Sequence, residues 1–241
     1  MTELNRRDFL KVSAVTGAAT MLAAGCAGAP VVAPDGIEDD RPRGRMALLM
    51  DNSLCVNCQA CRLACQNENM LPVERKYIRF DYIDKGRFPN TTHYVNRHSC
   101  QHCGNAPCVE VCPVNALYKG PEGFTHVDFE ACIGCQLCGT VCPFDVPVYN
   151  EDPRSGEWKM YKCSGCEHLV SQGGTPACAS TCMTEAVQYG TWDEMLAKAE
   201  ARVAQLREKH PEAGVYGATQ QDGLGLLLVL RTPAADYPHL V

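Results

Sequence analysis

An α+β fold, rich in loops, is predicted by three features of this 241-residue chain. Short stretches alternate apolar and polar residues as strands do, one long stretch near the C-terminus repeats apolar residues at helical spacing, and proline and glycine punctuate the connections. At this length the chain holds one or two small domains. Residues 1–25 form a signal region, and 26–45 shift to Pro, Gly, Asp and Arg, the composition of an irregular linker. Lys76–Ile83 sets Ile78, Phe80 and Tyr82 against charged neighbours and reads as a half-buried strand. Phe124–Phe129 is a second short strand, and Pro89, Pro107, Pro121, Pro153 and Pro176 interrupt what lies between the elements. Thr191–His210 reads as a helix, with Thr191 as cap and Glu194 completing a capping box. Its Met195, Leu196, Ala199, Val203 and Leu206 recur on one side, a stripe that packs on the chain's own body as amphipathic surface helices do. Leu224–Leu230 is apolar but only seven residues long, which fits a buried strand and is too short to span a membrane.

Sixteen of the seventeen cysteines fall into four groups of four, each opening with C-x2-C and closing with C-x3-C. They are Cys55, Cys58, Cys61, Cys65; Cys100, Cys103, Cys108, Cys112; Cys132, Cys135, Cys138, Cys142; and Cys163, Cys166, Cys178, Cys182. The third group, Cys132 to Pro143, has the C-x2-C-x2-C-x3-C-P spacing of bacterial ferredoxins, in which three close thiolates wrap one face of a [4Fe–4S] cube and a fourth arrives from elsewhere. The first group has Gln66 in the proline position. The second widens one gap but keeps Pro113, and the fourth widens one gap to eleven residues and has Met183 for the proline. These departures change loop length and leave the thiolate count intact, so the pattern reads as four iron–sulfur clusters. Tetrahedral zinc takes four ligands from two C-x2-C pairs and is oversupplied by a C-x2-C-x2-C triplet. Disulfides between cysteines this close, repeated four times, are strained. There is no C-x-x-C-H for covalent haem, and Glu68, Asp145 and Glu185 stand where a radical-type C-x3-C-x2-C would need its third cysteine. Cys112-Pro113-Val114-Asn115-Ala116 and Cys182-Met183-Thr184-Glu185-Ala186 both place alanine four residues after the closing cysteine, which suggests a duplicated ferredoxin-like unit.

The apolar fraction of 46% includes those cysteines. The core is therefore expected to be small, with cubes in place of apolar side chains and the apoprotein largely unfolded. A net charge of −6 argues against nucleic acid as a partner. At the N-terminus, Asn5-Arg6-Arg7-Asp8-Phe9-Leu10-Lys11 forms a twin-arginine signal, followed by an Ala/Gly/Val-rich stretch from Val12 to Ala29 that makes no convincing membrane span. That route moves folded cargo, which suits a chain loaded with clusters before export to the periplasm or the outer face of the cytoplasmic membrane. Cys26, in Leu22-Ala23-Ala24-Gly25-Cys26, is a candidate for lipidation that would anchor the protein. Cleavage at Ala27-Gly28-Ala29 is the alternative.

In their order, spacing and accompanying export signal, the four groups resemble those of the iron–sulfur electron-transfer subunits of molybdopterin oxidoreductases of the dimethyl sulfoxide reductase family. Similar subunits occur in formate dehydrogenases, polysulfide and tetrathionate reductases, formate-dependent nitrite reductase and some uptake hydrogenases. The resemblance runs from Met46 to about Gly190. The tail from Asp193 to Leu230, with Ala213-Gly214-Val215-Tyr216, looks most like the formate dehydrogenase and hydrogenase versions. It implies crossed ligation, with one cluster on Cys55, Cys58, Cys61 and Cys182 and its neighbour on Cys163, Cys166, Cys178 and Cys65. A third would sit on Cys100, Cys103, Cys108 and Cys142, and the fourth on Cys132, Cys135, Cys138 and Cys112. Some relatives lose one cysteine of the third group and hold a [3Fe–4S] centre, whereas Cys135 is present here, so four [4Fe–4S] clusters are expected. The implied organisation is a ferredoxin-like unit of 46–96 plus 151–190, an inserted unit of 97–150, and a C-terminal helix and tail at 191–241.

The expected role is outer-sphere electron transfer. In this family the first cluster faces a large molybdopterin (Mo or W) catalytic subunit and the last a membrane anchor or cytochrome subunit that oxidises quinol or reduces quinone. His98, His102 and His168 lie beside ligand cysteines, where tuning of a potential and ordinary hydrogen bonding both fit. Gly223-Leu224-Gly225 lacks the third glycine of a dinucleotide fingerprint, and no nucleophile or paired-carboxylate site stands out. The chain is accordingly expected to be non-catalytic by itself, with no direct small-molecule substrate. A free-standing polyferredoxin or hydrogenase-associated electron carrier is the alternative.

Overall fold

The computed structural model describes residues 44–240. The twin-arginine segment, Cys26 and the linker up to residue 43 lie outside the described residues. The described chain mixes α and β structure around one four-stranded sheet. Its two central strands, β1 (Met46–Asp51) and β10 (Leu226–Leu230), run parallel, with Leu48 opposite Leu226 and Asp51 opposite Val229. Strand β8 (Val187–Thr191) flanks β1 and β9 (Gly214–Tyr216) flanks β10, both antiparallel, giving the order β8-β1-β10-β9.

Successive side chains of a strand point to opposite faces, and both faces of this sheet are covered. Ala47, Leu49, Leu227 and Val229 pack against Met195, Ala199 and Val203 of α6 (Trp192–Leu206). Leu48, Met50, Leu226 and Leu228 point the other way, into a buried group that includes Cys65, Cys163 and Cys178. That two-sided burial is why β10 reads as an unbroken apolar run. Thr191 caps α6, its hydroxyl accepting from Glu194 N at 3.4 Å while the Glu194 carboxylate accepts from Thr191 N at 3.2 Å. The helix closes at Leu206, short of His210, and Arg207 Nε donates instead to Ala213 O at 3.0 Å, tying the turn that leads to β9.

The rest of the described chain is built from three hairpins and short helices. The longest hairpin joins β2 (Arg79–Arg87) to β3 (Asn90–His98) through Phe88-Pro89. β2 starts later than the strand expected over Lys76–Ile83, leaving buried Ile78 just before it, and Tyr82 is exposed. The Tyr82 hydroxyl accepts from Gln59 Nε2 at 3.0 Å and its ring stacks on His93, so amphipathic contacts on an open ribbon produce the alternation there. β4 (Leu117–Lys119) pairs with β5 (Thr125–Val127), and β6 (Val148–Glu151) with β7 (Trp158–Tyr161). The last hairpin straddles residue 150, where the sequence suggested a unit boundary. No helix among the described residues is long and apolar enough to cross a membrane.

Two substitutions separate the contributions to the sheet. Leu227→Ala empties a fully buried position against α6 and is expected to cost about 2–5 kcal/mol. Thr191→Ala removes only the helix cap, at about 1 kcal/mol. Denaturant midpoints of the two variants check the ranking, and equal losses would contradict it.

Candidate metal centres

One backbone device recurs at all four cysteine groups. The residue just before the second cysteine takes a left-handed conformation: Asn57 at φ 55°, His102 at φ 48°, Gly134 at φ 64° and Gly165 at φ 68°. The bend turns the loop back on itself, so that Cys132 and Cys135, Cys100 and Cys103, and Cys163 and Cys166 each line a common cavity. Such φ values are cheap for glycine and tolerable for asparagine. At Gly165 space demands glycine too, because an added methyl would meet the Phe124 ring at 2.2 Å.

The third cysteine of each group lies in a short helix: Cys61 in α1 (Ala60–Glu68), Cys108 in α2 (Pro107–Glu110), Cys138 in α3 (Leu137–Thr140) and Cys178 in α5 (Ala177–Ser180). A further single turn, α4 (Glu167–Val170), occupies the insertion of the fourth group. The closing cysteine follows the third by four residues, about one helical turn. α1 packs on α5 and α2 on α3, and the third and closing cysteines of one group serve different cavities. One cavity is lined by Cys65, Cys163, Cys166 and Cys178, another by Cys100, Cys103, Cys108 and Cys142, and another by Cys112, Cys132, Cys135 and Cys138. The remaining four thiols are also neighbours, since Cys55 interacts electrostatically with Cys58 and Cys182, and Cys61 with Cys55 and Cys182. Cys163 likewise interacts with Cys100, and Cys108 with Cys138, which sets the spatial order of the four sets. None of the sixteen is joined in a disulfide.

Burial pushes the Cys103, Cys108 and Cys163 thiols up to about 12, and adjacent cysteines add to the rise; Cys65 is driven up by the same causes. Thiols crowded in this way ionise only against a strong local positive charge, which a coordinated metal supplies outright. The donor chemistry therefore fits iron–sulfur clusters. So do the hydrogen bonds offered to sulfur: Gly165 N to Cys163 at 3.3 Å, Val187 N to Cys182 at 3.3 Å and Arg97 Nη1 to Cys178 at 3.4 Å, with the Tyr149 hydroxyl 3.4 Å from Cys138. Arg97 Nη2 is buried without a partner, a donor facing the need for an acceptor.

The three histidines singled out by sequence each make a hydrogen bond away from sulfur, although His102 Nε2 is buried without a partner. His98 Nε2 meets Phe144 O at 2.7 Å, His102 Nδ1 accepts from Thr125 N at 3.1 Å, and His168 Nε2 pairs with Glu68 at 2.9 Å. The buried cations, by contrast, escaped sequence reasoning. Lys159 Nζ donates to Cys132 O at 2.6 Å, and Lys162 Nζ to Thr125 O and to Cys163 O at 3.0 Å. In the sequence Arg97, Lys159 and Lys162 look like surface charges, and only their position a few residues ahead of a ligand motif sets them apart. Met183, in a proline position, leaves its turn unchanged: Glu185 has φ 54°, beside 52° for Asn115 and 48° for Asp145 at the equivalent places.

Residues 91–192 match the family described as 4Fe-4S dicluster domain. Residues 3–23 match the TAT (twin-arginine translocation) pathway signal sequence, so the chain carries a signal for export by that route. The chain is 33% identical over 216 residues to the nitrate-inducible formate dehydrogenase iron–sulfur subunit of Escherichia coli, covering 82% of this chain and 71% of that one. It is 36% identical over 157 residues to a component of the anaerobic dimethyl sulfoxide reductase of the same organism, covering 62% and 75%. It is 39% identical over 150 residues to the thiosulfate reductase electron transfer subunit of Salmonella typhi, covering 61% and 76%. Among the relatives matched, an iron–sulfur subunit of dimethyl sulfoxide reductase in Halobacterium salinarum has 66% of its length spanned.

Glycine at the bend is testable. Gly156 has a comparable φ of 69° with open space around it, whereas Gly165 is blocked by Phe124. Gly156→Ala is expected to cost about 1 kcal/mol for the conformation alone. Gly165→Ala is expected to cost more and to lower the iron bound per chain, measured by metal analysis of both purified variants.

Proposed function

The chain belongs to the iron–sulfur electron-transfer subunits of molybdopterin oxidoreductases, and from that premise we propose that it relays electrons through four [4Fe–4S] clusters between a molybdenum or tungsten catalytic subunit and a membrane quinone-linked or cytochrome partner. The observation that carries this reading is the division of sixteen thiols into four sets of four, three of them gathered around cavities. Clusters of this kind supply one-electron transfer without making or breaking bonds.

In this reading Cys55, Cys58, Cys61 and Cys182 hold the first cluster, and Cys65, Cys163, Cys166 and Cys178 its neighbour. Cys100, Cys103, Cys108 and Cys142 hold the next, followed by the set of Cys112, Cys132, Cys135 and Cys138. The crossed pairing of α1 with α5 and of α2 with α3 supports a duplicated ferredoxin-like design, one unit from 46–96 plus 151–190 and the other from 97–150. The surface supports a relay with two ends. The exposed thiols, Cys58 and Cys135, belong to opposite ends of the spatial order. Exposed apolar side chains accompany each, Val56, Leu63 and Met183 at one end and Ile133 and Leu137 at the other, as protein contact surfaces require. The protein's own share in the chemistry is to hold the thiolates, keep water from the inner sets and set the electrostatics around them.

The ligand assignment makes a distinctive expectation. Cys112→Ser should abolish the same electron paramagnetic resonance signal as Cys132→Ser, and Cys108→Ser the same one as Cys142→Ser, because closing cysteines serve the opposite group. Unmutated protein should contain about sixteen iron and sixteen sulfide per chain; a value near zero would end the cluster reading.

Purification under native conditions should bring down a large subunit containing molybdenum or tungsten. Recovery of the loaded chain alone would favour a free-standing polyferredoxin. The mass of the mature chain in that preparation tests location at the membrane surface, since a lipidated Cys26 supports an anchor and a start after Ala29 removes it.

A further inference from the structure

Arg97 near the end of β3 is a buried charge whose strongest electrostatic partners are cysteines. It is 0% exposed. Its Nε donates to Ser99 Oγ at 3.0 Å, its Nη1 to Cys178 Sγ at 3.4 Å, and its buried Nη2 has no hydrogen-bond partner. It forms no carboxylate ion pair among the described residues. The groups that act on it electrostatically are Cys178 and Cys163 of one set and Cys61 of the adjacent set, and Cys65 feels it in turn. Burial by itself would lower the pKa of this guanidinium, but those cysteines outweigh it and the net direction is upward. Lys162 offers a contrast, because its ammonium is committed to the Thr125 and Cys163 carbonyls.

A buried, unpaired guanidinium is strongly unfavourable unless the structure supplies anionic charge. Arginine stays protonated throughout, and its rigid planar fork of five donors holds fixed directions toward two sides at once. A cube with four thiolates carries net negative charge that grows by one on reduction, so a fixed cation beside it favours the reduced form. We propose that Arg97 is a positioning residue shared by two clusters, the fixed counter-charge that raises the reduction potentials of the centres on Cys55, Cys58, Cys61, Cys182 and on Cys65, Cys163, Cys166, Cys178 together. This rests on the four-cluster reading above. One electron leaves one cube and enters the other, no bond forms or breaks, and the guanidinium keeps its proton. Because both potentials respond to the same charge, Arg97 raises them together and alters the difference between them less than it alters either one.

The test is potentiometric titration, followed by electron paramagnetic resonance, of the native complex carrying Arg97→Gln, Arg97→Lys or Ser99→Ala, with iron and sulfide measured on each. In loaded Arg97→Gln, two of the four midpoint potentials should fall and the other two should hold. Arg97→Lys should fall less, and Ser99→Ala, which frees the guanidinium from its hydroxyl anchor, should shift the same two centres slightly. Loaded Arg97→Gln with four unchanged potentials, or with all four shifted alike, overturns the proposal. If Arg97→Gln fails to load while Arg97→Lys loads with near-normal potentials, the requirement for charge is upheld. If neither loads, Ser99→Ala decides, and potentials identical to those of the unmutated complex refute the role. Iron and sulfide far below four clusters in the unmutated protein would instead undo the reading on which the proposal stands.

Discussion

Four thiols that share one buried cavity resist ionisation twice over, because burial disfavours each thiolate and every neighbour that ionises disfavours the next. Cys163 and Cys108, pushed up to about 12, show how far the environment opposes the charged state that metal binding needs. Cys163 packs with Leu48, Leu226 and Leu228 beneath the sheet and Cys108 against the group of Ala116, Leu117 and Met160, so the cysteines are part of the core and cannot be withdrawn from it. Metal coordination resolves the conflict by removing the proton and the repulsion together. Folding and loading are thereby tied, which gives a physical reason for the twin-arginine signal, since export of an unloaded chain would expose this unsatisfied interior.

The helical turn between the third and closing cysteines converts that local problem into a connected array. Each short helix lies between two cavities, with one sulfur given to either side, so no centre is built from a single loop. The consequence is mechanical as well as electronic. Displacing α1 disturbs Cys61 in one set and Cys65 in the next, and its packing on α5, which carries Cys178, closes the pair. Rigidity of this kind serves a relay, because reorganisation at each site then stays small.

What could be read from sequence follows the range of the interactions involved. Cysteine spacing is local, and the capping box at Thr191 and Glu194 is closed within one turn, so both are visible in a string of letters. The apolar stripe of α6 was legible for the same reason. β3 was not, because Thr91, Thr92, Tyr94, Val95, Asn96 and Arg97 mix polar and apolar residues and the inner half is buried by contacts distant in sequence. Arg97 looks like any surface arginine until residues 163 and 178 are brought to it. The left-handed bend was half visible, as the glycines of the third and fourth groups, and hidden at Asn57 and His102, where other residues adopt the same conformation.

Burial is distributed unevenly along the array, and the unevenness has a direction. The set of Cys65, Cys163, Cys166 and Cys178 is buried throughout and has Arg97 and Lys162 beside it, while Cys58 and Cys135 at the two extremes meet solvent. Fixed charges inside a low-dielectric interior act strongly and constantly, whereas water at the surface screens whatever lies near it. That buried set therefore has its electrostatic surroundings fixed by this chain. The outer sets present apolar side chains such as Met183 and Ile133 to solvent, and covering those side chains would remove the water beside them. In the proposed relay, a partner docking at either end would complete the surroundings of the centre there, so contact with that partner and access to the electron would become the same event.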